Sequence, residues 1–494
     1  MAPLWRTRFA TLAAGLLAVW IGCAVASENL LMPSIIAGAM IAVILAALQP
    51  LPIPTLLLGL TCIGYLVGNR GFAQLSLSAR LPLLPAETVL LVSAAFLAAR
   101  GALRREVPFR RDALNVLVLV WIVVSSVRLY HDVRTFGVMA IRDYATVYYA
   151  AFFFLGQEAA RDAAGRRYLH RCLWVGCVLL ALVYPLFVAF PDFFLATMTV
   201  RQVPLVFFKG DLAGTFLAVG SLLFYLRFEA GRSWLALGAS LAFAAGTVLT
   251  NNRASLLALL AATAVLACAR RWRFALLQLA AGISAAVLLL VIAQVQHRSW
   301  RETPLLGVYE RVASVFDPQG RGTYTAEAAA NKGDNNAFRL VWWRTVVEDT
   351  AAANPVFGLG FGADLAERFV QEYYPDSTEE FNTRSPHNIL LTVFARTGLV
   401  GLLPFIAIIG VVIVRTTRAA RRDSEASGPW LAACALFVSA CFGVVLEGPM
   451  GAVVFWTMLG LANATECERG PMSASGPETG IETPVVAEPR DISR

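Results

Sequence analysis

Long apolar blocks constrain this chain more than any other feature. Along its 494 residues run apolar stretches of about 18 residues or more, the length that crosses a ~30 Å hydrocarbon core. A water-soluble fold would break such blocks into amphipathic stripes. Hydrophobic residues make up 58% of the chain and charged residues 15%, against roughly 45–50% apolar in soluble domains. The chain therefore reads as an all-α polytopic membrane protein. Candidate spans fall near 8–27, 30–49, 51–69, 84–99, 112–130, 137–156, 171–195, 211–228, 234–250, 253–268, 273–293, 388–414, 429–447 and 449–464. The connections inside 30–69 and 429–464 are very short, so the expectation is about 12–14 transmembrane helices.

Charge sets the expected orientation. With the N-terminus in the cytoplasm, the inner short segments hold twenty arginines, among them Arg104, Arg105, Arg166, Arg167, Arg271 and Arg421. The outer short segments hold seven Lys/Arg: Arg70, Arg80, Arg128, Arg134, Arg201, Lys209 and Arg253. Positive residues favour the cytoplasmic side, so both termini are expected inside and the one long loop outside. The expected organisation is N-terminal transmembrane helices over 1–293, a large, mainly helical outer loop over 294–387, C-terminal transmembrane helices over 388–464, and a tail over 465–494. That tail is rich in Pro, Gly, Ser and Glu and reads as disordered. The start, Met1 to Arg8 followed by an apolar run, resembles a signal peptide, but no cleavage site stands out and a retained first helix is expected.

The same features exclude several classes. A net charge of +8 is carried mostly in short membrane loops, and no nucleic-acid-binding motif appears, so no nucleic-acid partner is expected. Cys23, Cys62, Cys172, Cys177, Cys268, Cys434 and Cys441 lie in or beside apolar spans and Cys467 in the tail, which gives neither a disulfide framework nor zinc spacing. No internal repeat of the transporter kind is visible. No cofactor is expected.

The long loop carries its own helical layer. "NNAFRLVWWRTVVEDTAAANP" has apolar side chains at three- and four-residue spacing and ends at Asn354-Pro355. "FGLGFG" follows, a turn where backbone can approach closely. A short helix near 363–373 and the acidic "EYYPDSTEEF" come next, and the chain re-enters the membrane at "SPHNILL". Between 297 and 387 there are nine Lys/Arg and thirteen Asp/Glu, so any basic residue there acts by position rather than as part of a basic patch.

His387 is the foremost chemical candidate. It is one of four histidines and sits where the loop meets a span. A neutral imidazole there can take a proton from an acceptor hydroxyl; the alternative is an interfacial histidine capping the helix. Asn388 is placed to orient a sugar or the ring. Gly398 and Gly401, three apart, suit close helix packing. Arg142, Arg253 and Arg396 lie at the outer surface or inside a span, where a charge costs roughly 2.5–3.5 kcal/mol on insertion scales. Singly each reads equally as a structural pair; together they suggest a polyanionic ligand. Arg339 on the loop helix suits bidentate phosphate binding, with Trp342 and Trp343 placed to stack on sugars or dip into headgroups. Glu447 is a candidate base or ion partner. Asp376, Glu379 and Glu380 lack a rigid ligand geometry, so no metal site is expected.

Together these residues resemble the O-antigen ligase and polymerase superfamily of bacterial envelope glycosyltransferases. The resemblance runs from about 137 to 460 and is strongest over 250–405. It rests on "HN" followed nine residues later by "GLVG", on "NNRAS", where Asn252 replaces the family's frequent serine, and on "NNAFRLVWWRTVVEDTAAANPVFGLGFG". "VPLVFFKGDLAG" is a weaker match, and Arg311 in "YERVASVFD" falls at a recurrent family position. The resemblance implies a C-type glycosyltransferase of the bacterial inner membrane, with the large loop in the periplasm. Its donor is a glycan on undecaprenyl diphosphate. Its acceptor is lipid A-core, a second lipid-linked glycan or a protein hydroxyl. Carried over by position, Arg253 and Arg339 hold the diphosphate, with Arg142, Arg311 and Lys209 as further candidates. His387 activates the acceptor, and Asn388 and Trp343 contact acceptor or sugar. Arginines at a departing diphosphate work without a metal, and a single displacement inverts the anomeric centre. Two other classes stay open: a transporter or lipid-glycan flippase, which leaves the loop and its histidine unexplained, and a non-catalytic scaffold.

Overall fold

A computed structural model of the chain describes residues 51–76, 83–104, 109–250, 252–297, 299, 301, 304–315, 317, 327–373, 384–422 and 426–468. The candidate spans 8–27 and 30–49, the residues Asp376, Glu379 and Glu380, and the tail beyond Glu468 lie outside these. The described elements are α1 (Ile53–Val67), α2 (Asn69–Gln74), α3 (Pro85–Arg104), α4 (Ala113–Phe136), α5 (Val138–Asp143), α6 (Ala145–Tyr148), α7 (Ala151–Ala159), α8 (Ala163–Ala189), a π-turn at Phe193–Thr197, β1 (Thr199–Val200), β2 (Val203–Pro204), α9 (Gly210–Gly231), α10 (Trp234–Leu249), α11 (Arg253–Cys268), α12 (Trp272–Val295), α13 (Pro304–Val315), α14 (Glu327–Ala353), α15 (Glu367–Tyr373), α16 (Ile389–Arg422), α17 (Gly428–Ala440) and α18 (Pro449–Glu468). The two short strands pair as an antiparallel ribbon. The protein is thus an all-α polytopic membrane protein. Seven described helices are long and apolar enough to cross a membrane, with α5 to α7 forming one of them, and the shorter apolar helices α1, α10, α11 and α17 accompany them.

Local chemistry sets several helix starts. Asp112 accepts from Leu114 N and Asn115 N at the head of α4, Asp162 from Gly165 N at α8, and Asn252 from Ala254 N and Ser255 N at α11. Each cap satisfies donors that a helix N-terminus otherwise leaves open. α9 is the central post, buried along most of its length and packed by α8, α10, α11 and α17. At one end of the bundle Asp112, Asn115, Gln157 and Asn463 form a buried amide and carboxylate network that ties α4, α7 and α18. The loop helices α14 and α15 cover the other end. Trp342 and Phe369 stack there at 5.2 Å, and Trp342 Nε1 donates to Leu365 O at 2.7 Å.

Four elements depart from the sequence pattern. The span expected at 137–156 is cut into α5, α6 and α7, which turns Asp143 and Tyr144 toward the loop. There Asp143 accepts from Gly362 N at 3.0 Å and Tyr144 packs edge-on to Phe361. The span expected to reach 447 stops at Ala440, and 441–448 is irregular. α18 continues to Glu468, where a disordered tail was expected from 465.

The fourth departure is a break in α16 at Gly398, whose φ is 62°. Leu359 N donates to Ala395 O at 2.7 Å, Leu399 N to Pro355 O at 2.9 Å and Val400 N to Val356 O at 3.1 Å, so the Pro355–Gly360 segment docks on the open turn. A Cβ on Gly398 overlaps the Val356 carbonyl. The helix-packing role expected for Gly398 and Gly401 gives way to this one: Gly398 receives the loop, and Gly401 faces Thr397 of its own helix. Gly398→Ala combines a left-handed alanine, costing roughly 1–2 kcal/mol, with that overlap. It should lower the detergent-solubilised melting temperature by several degrees, and wild-type melting would show that the docked turn is not fixed.

Candidate functional site

The re-entry segment Ser385–Asn388 is held from three sides. Asn388 Oδ1 accepts from Leu390 N at 3.0 Å and Leu391 N at 3.4 Å, so it caps α16. That makes Asn388, rather than His387, the capping residue. Trp343 Nε1 donates to Pro386 O at 2.6 Å. This tryptophan, expected to contact a sugar or the headgroups, also anchors the turn. Glu447 accepts from Thr392 Oγ1 at 2.9 Å and also bonds Ser385. Burial pushes its carboxyl upward, against those two hydrogen bonds and the fields of Lys209 and Arg396.

These contacts set His387 in a left-handed conformation, φ 56°. Such a φ is uncommon outside glycine, and histidine is among the residues enriched there. Its backbone N donates to Ser385 Oγ at 3.3 Å, and its ring lies 5.9 Å from that of Trp342. Among the described residues none bonds its ring nitrogens. Burial first, then the positive fields of Arg339 and Lys209, push the imidazole down to about 4, with Asp211 opposing. His387 is therefore neutral at ordinary pH.

Two cations face this imidazole. Arg339, on α14, donates from Nη1 to Phe442 O at 3.0 Å, while its buried Nε has no partner among the described residues. Burial lowers its proton affinity and Asp211 offsets part of that, but a guanidinium stays charged at any working pH. Lys209, just before α9, reaches Val444 O at 3.1 Å and Asp211 Oδ2 at 3.1 Å. The irregular 441–448 segment thus supplies the carbonyls that aim both cations. Asp211 also joins α11 to the site, its backbone O accepting from Ser255 Oγ at 2.7 Å.

The other expected residues fall differently. Arg253 is the first residue of α11, at the same end of the bundle, and lines a cavity of about 500 Å³ with Leu256, Leu279, Gly282, Ile283 and Val308, mostly aliphatic. Arg142 is exposed, while its neighbour Asp143 turns inward. Arg311 belongs to α13, and its side chain lies outside the described residues. Arg396 is buried as a structural ion: it pairs with Asp143 at 2.8 Å and donates to Gly360 O at 3.1 Å and Ala363 O at 2.6 Å. With Asp132 accepting from Phe361 N at 2.7 Å and Arg384 donating to Gly362 O at 2.7 Å, it cages the Gly-rich turn. Asp211 and Ser385 were missed from sequence. Asp211 sits inside "FFKGDLAG", so the signal was present; nothing in the sequence marked Ser385 as the partner of Glu447.

Among the described residues no group of three or more His, Cys, Asp or Glu is arranged to hold a metal ion. No curated protein matches the chain. Residues 237–406, which carry Arg253, Arg311, Arg339, His387 and Gly398, match the family model described as O-Antigen ligase.

Proposed function

We infer that the protein is a glycosyltransferase of the O-antigen ligase or polymerase type, moving a glycan from undecaprenyl diphosphate to an acceptor hydroxyl at the periplasmic face of the inner membrane. The observation that carries this is a neutral imidazole facing two fixed cations. His387 takes the proton of the acceptor hydroxyl. The acceptor oxygen forms a bond to the anomeric carbon as the bond from that carbon to the diphosphate oxygen breaks. The electron pair leaves on the diphosphate, where Arg339 and Lys209, with Arg253 nearby, stabilise the new charge. The aliphatic cavity below Arg253 suits the donor's isoprenoid chain. A single displacement inverts the anomeric centre, and no metal is required. The count of arginines between spans supports placing the site outside. Lipid A-core, a second lipid-linked glycan and a protein hydroxyl are the acceptor classes.

The donor itself also tunes the base. Two of the influences that lower the His387 pKa are cationic, and a bound diphosphate cancels their fields. The imidazole then becomes a stronger base when donor is present. The test is transfer by the purified full chain in nanodiscs, with a polyprenyl-diphosphate glycan as donor and EDTA present. Appearance of polyprenyl diphosphate together with glycosylated acceptor is expected. Movement of the lipid between leaflets without transfer would establish the flippase reading instead.

A further inference from the structure

A polar cavity lies at the end of the bundle opposite His387. α9 starts beside Lys209 and has run ~25 Å from that end by Arg227, at ~1.5 Å per residue. There a cavity of about 780 Å³ opens between α8, α9 and the segments around Ala426 and Thr465. One wall is a single face of α8, where Arg166, Arg167, His170, Arg171 and Trp174 recur at three- and four-residue spacing, and Arg227 faces them from α9. The described lining side chains carry four guanidinium groups and no carboxylate. Arg167, Arg171 and Arg227 are exposed.

The character of the wall changes along α8. Basic residues occupy its first three turns, as far as Arg171. Trp174 follows, a residue type enriched at membrane interfaces. Val175, Leu223 and Leu226 line the cavity beyond it, and Val175, Val178, Leu179 and Leu182 continue as an exposed apolar track along α8. A soluble phosphate would use the guanidinium groups and leave the track idle. A phospholipid uses both, its phosphate among the arginines and its acyl chains along the track. Basic pockets between membrane helices recognise anionic headgroups in this way.

We propose that this cavity is a binding site for an anionic phospholipid, separate from the transfer site and on the opposite membrane face. The test uses the delipidated full chain in detergent, titrated with cardiolipin, with phosphatidylcholine or with inorganic phosphate. Bound lipid is read by native mass spectrometry and by the melting shift. Cardiolipin should be retained and raise the melting temperature, with the other two inactive. The double variant Arg167→Gln/Arg171→Gln should lose retention roughly 30-fold, two surface charges' worth, while Arg111→Gln, an exposed arginine elsewhere, binds as wild type. If the double variant melts lower without lipid, the two single variants carry the comparison. Equal retention by the arginine variants, equal retention of phosphatidylcholine, or an equal shift from phosphate alone would each overturn the proposal.

Discussion

His387→Asn should lower kcat/KM for glycan transfer by roughly 10²- to 10⁴-fold, the range for losing a positioned general base. Asparagine is the informative replacement because it tolerates the left-handed backbone that His387 occupies. The turn itself is held by Trp343, Asn388 and Glu447 rather than by the imidazole, so membrane levels should stay at wild type. A well-folded Asn variant with full transfer would remove His387 from the mechanism.

The pH dependence follows from the depressed imidazole. With a folded pKa of about 4 against an ordinary 6.5, the free enzyme keeps a neutral base through the neutral range. The acid limb of kcat/KM, which reports free enzyme, should therefore sit near pH 4, and that of kcat higher, because bound diphosphate screens the cations. Stability follows with the same sign. A pKa below its unfolded value contributes stability that is present above 6.5 and is lost as pH falls toward 4. Wild type should thus lose melting temperature relative to His387→Asn between pH 6.5 and 4. The opposite trend would mean that the imidazole is stabilised as a cation.

Sequence patterning captures elements whose pattern is purely local. α11 starts at Arg253 and ends at Cys268, as its apolar run implies, and the structure adds the Asn252 cap. It fails where tertiary contacts decide. Nothing local ends the last hairpin's first helix at Ala440; the irregular backbone beyond it is held by Arg339 and Lys209, which are distant in sequence. Gly398 read as a packing glycine because its role depends on Pro355 and Val356, some forty residues earlier. Arg396 and Arg339 looked alike as charged residues near the membrane. Only packing separates them, one enclosed by Asp143 and loop carbonyls, the other facing His387 with a buried Nε left over. His387 and Arg339 were legible as motif residues; Asp211 lay inside a quoted segment, but its influence on both depends on how α9 and α14 meet.

Arg339→Gln should reduce kcat by roughly 10²- to 10³-fold, the scale of losing one group that stabilises developing charge. A rate loss alone does not prove that role, since Arg339 also holds Phe442 O and its removal can loosen the 441–448 segment. The pH profile separates the two. Arg339 is the foremost charged influence lowering the His387 pKa, so its removal raises the free-enzyme imidazole pKa, and the acid limb of kcat/KM moves to higher pH. Arg339→Lys keeps the charge but loses the planar fork. It should hold the limb near its wild-type position while recovering only part of the rate. A purely structural arginine predicts the reverse: rate lost in both variants and the limb unmoved in either. Arg396→Gln provides the contrast, because that guanidinium is committed to Asp143 and the Gly-rich turn. Its loss should appear as lower stability and protein level, with the acid limb of whatever activity survives still near pH 4.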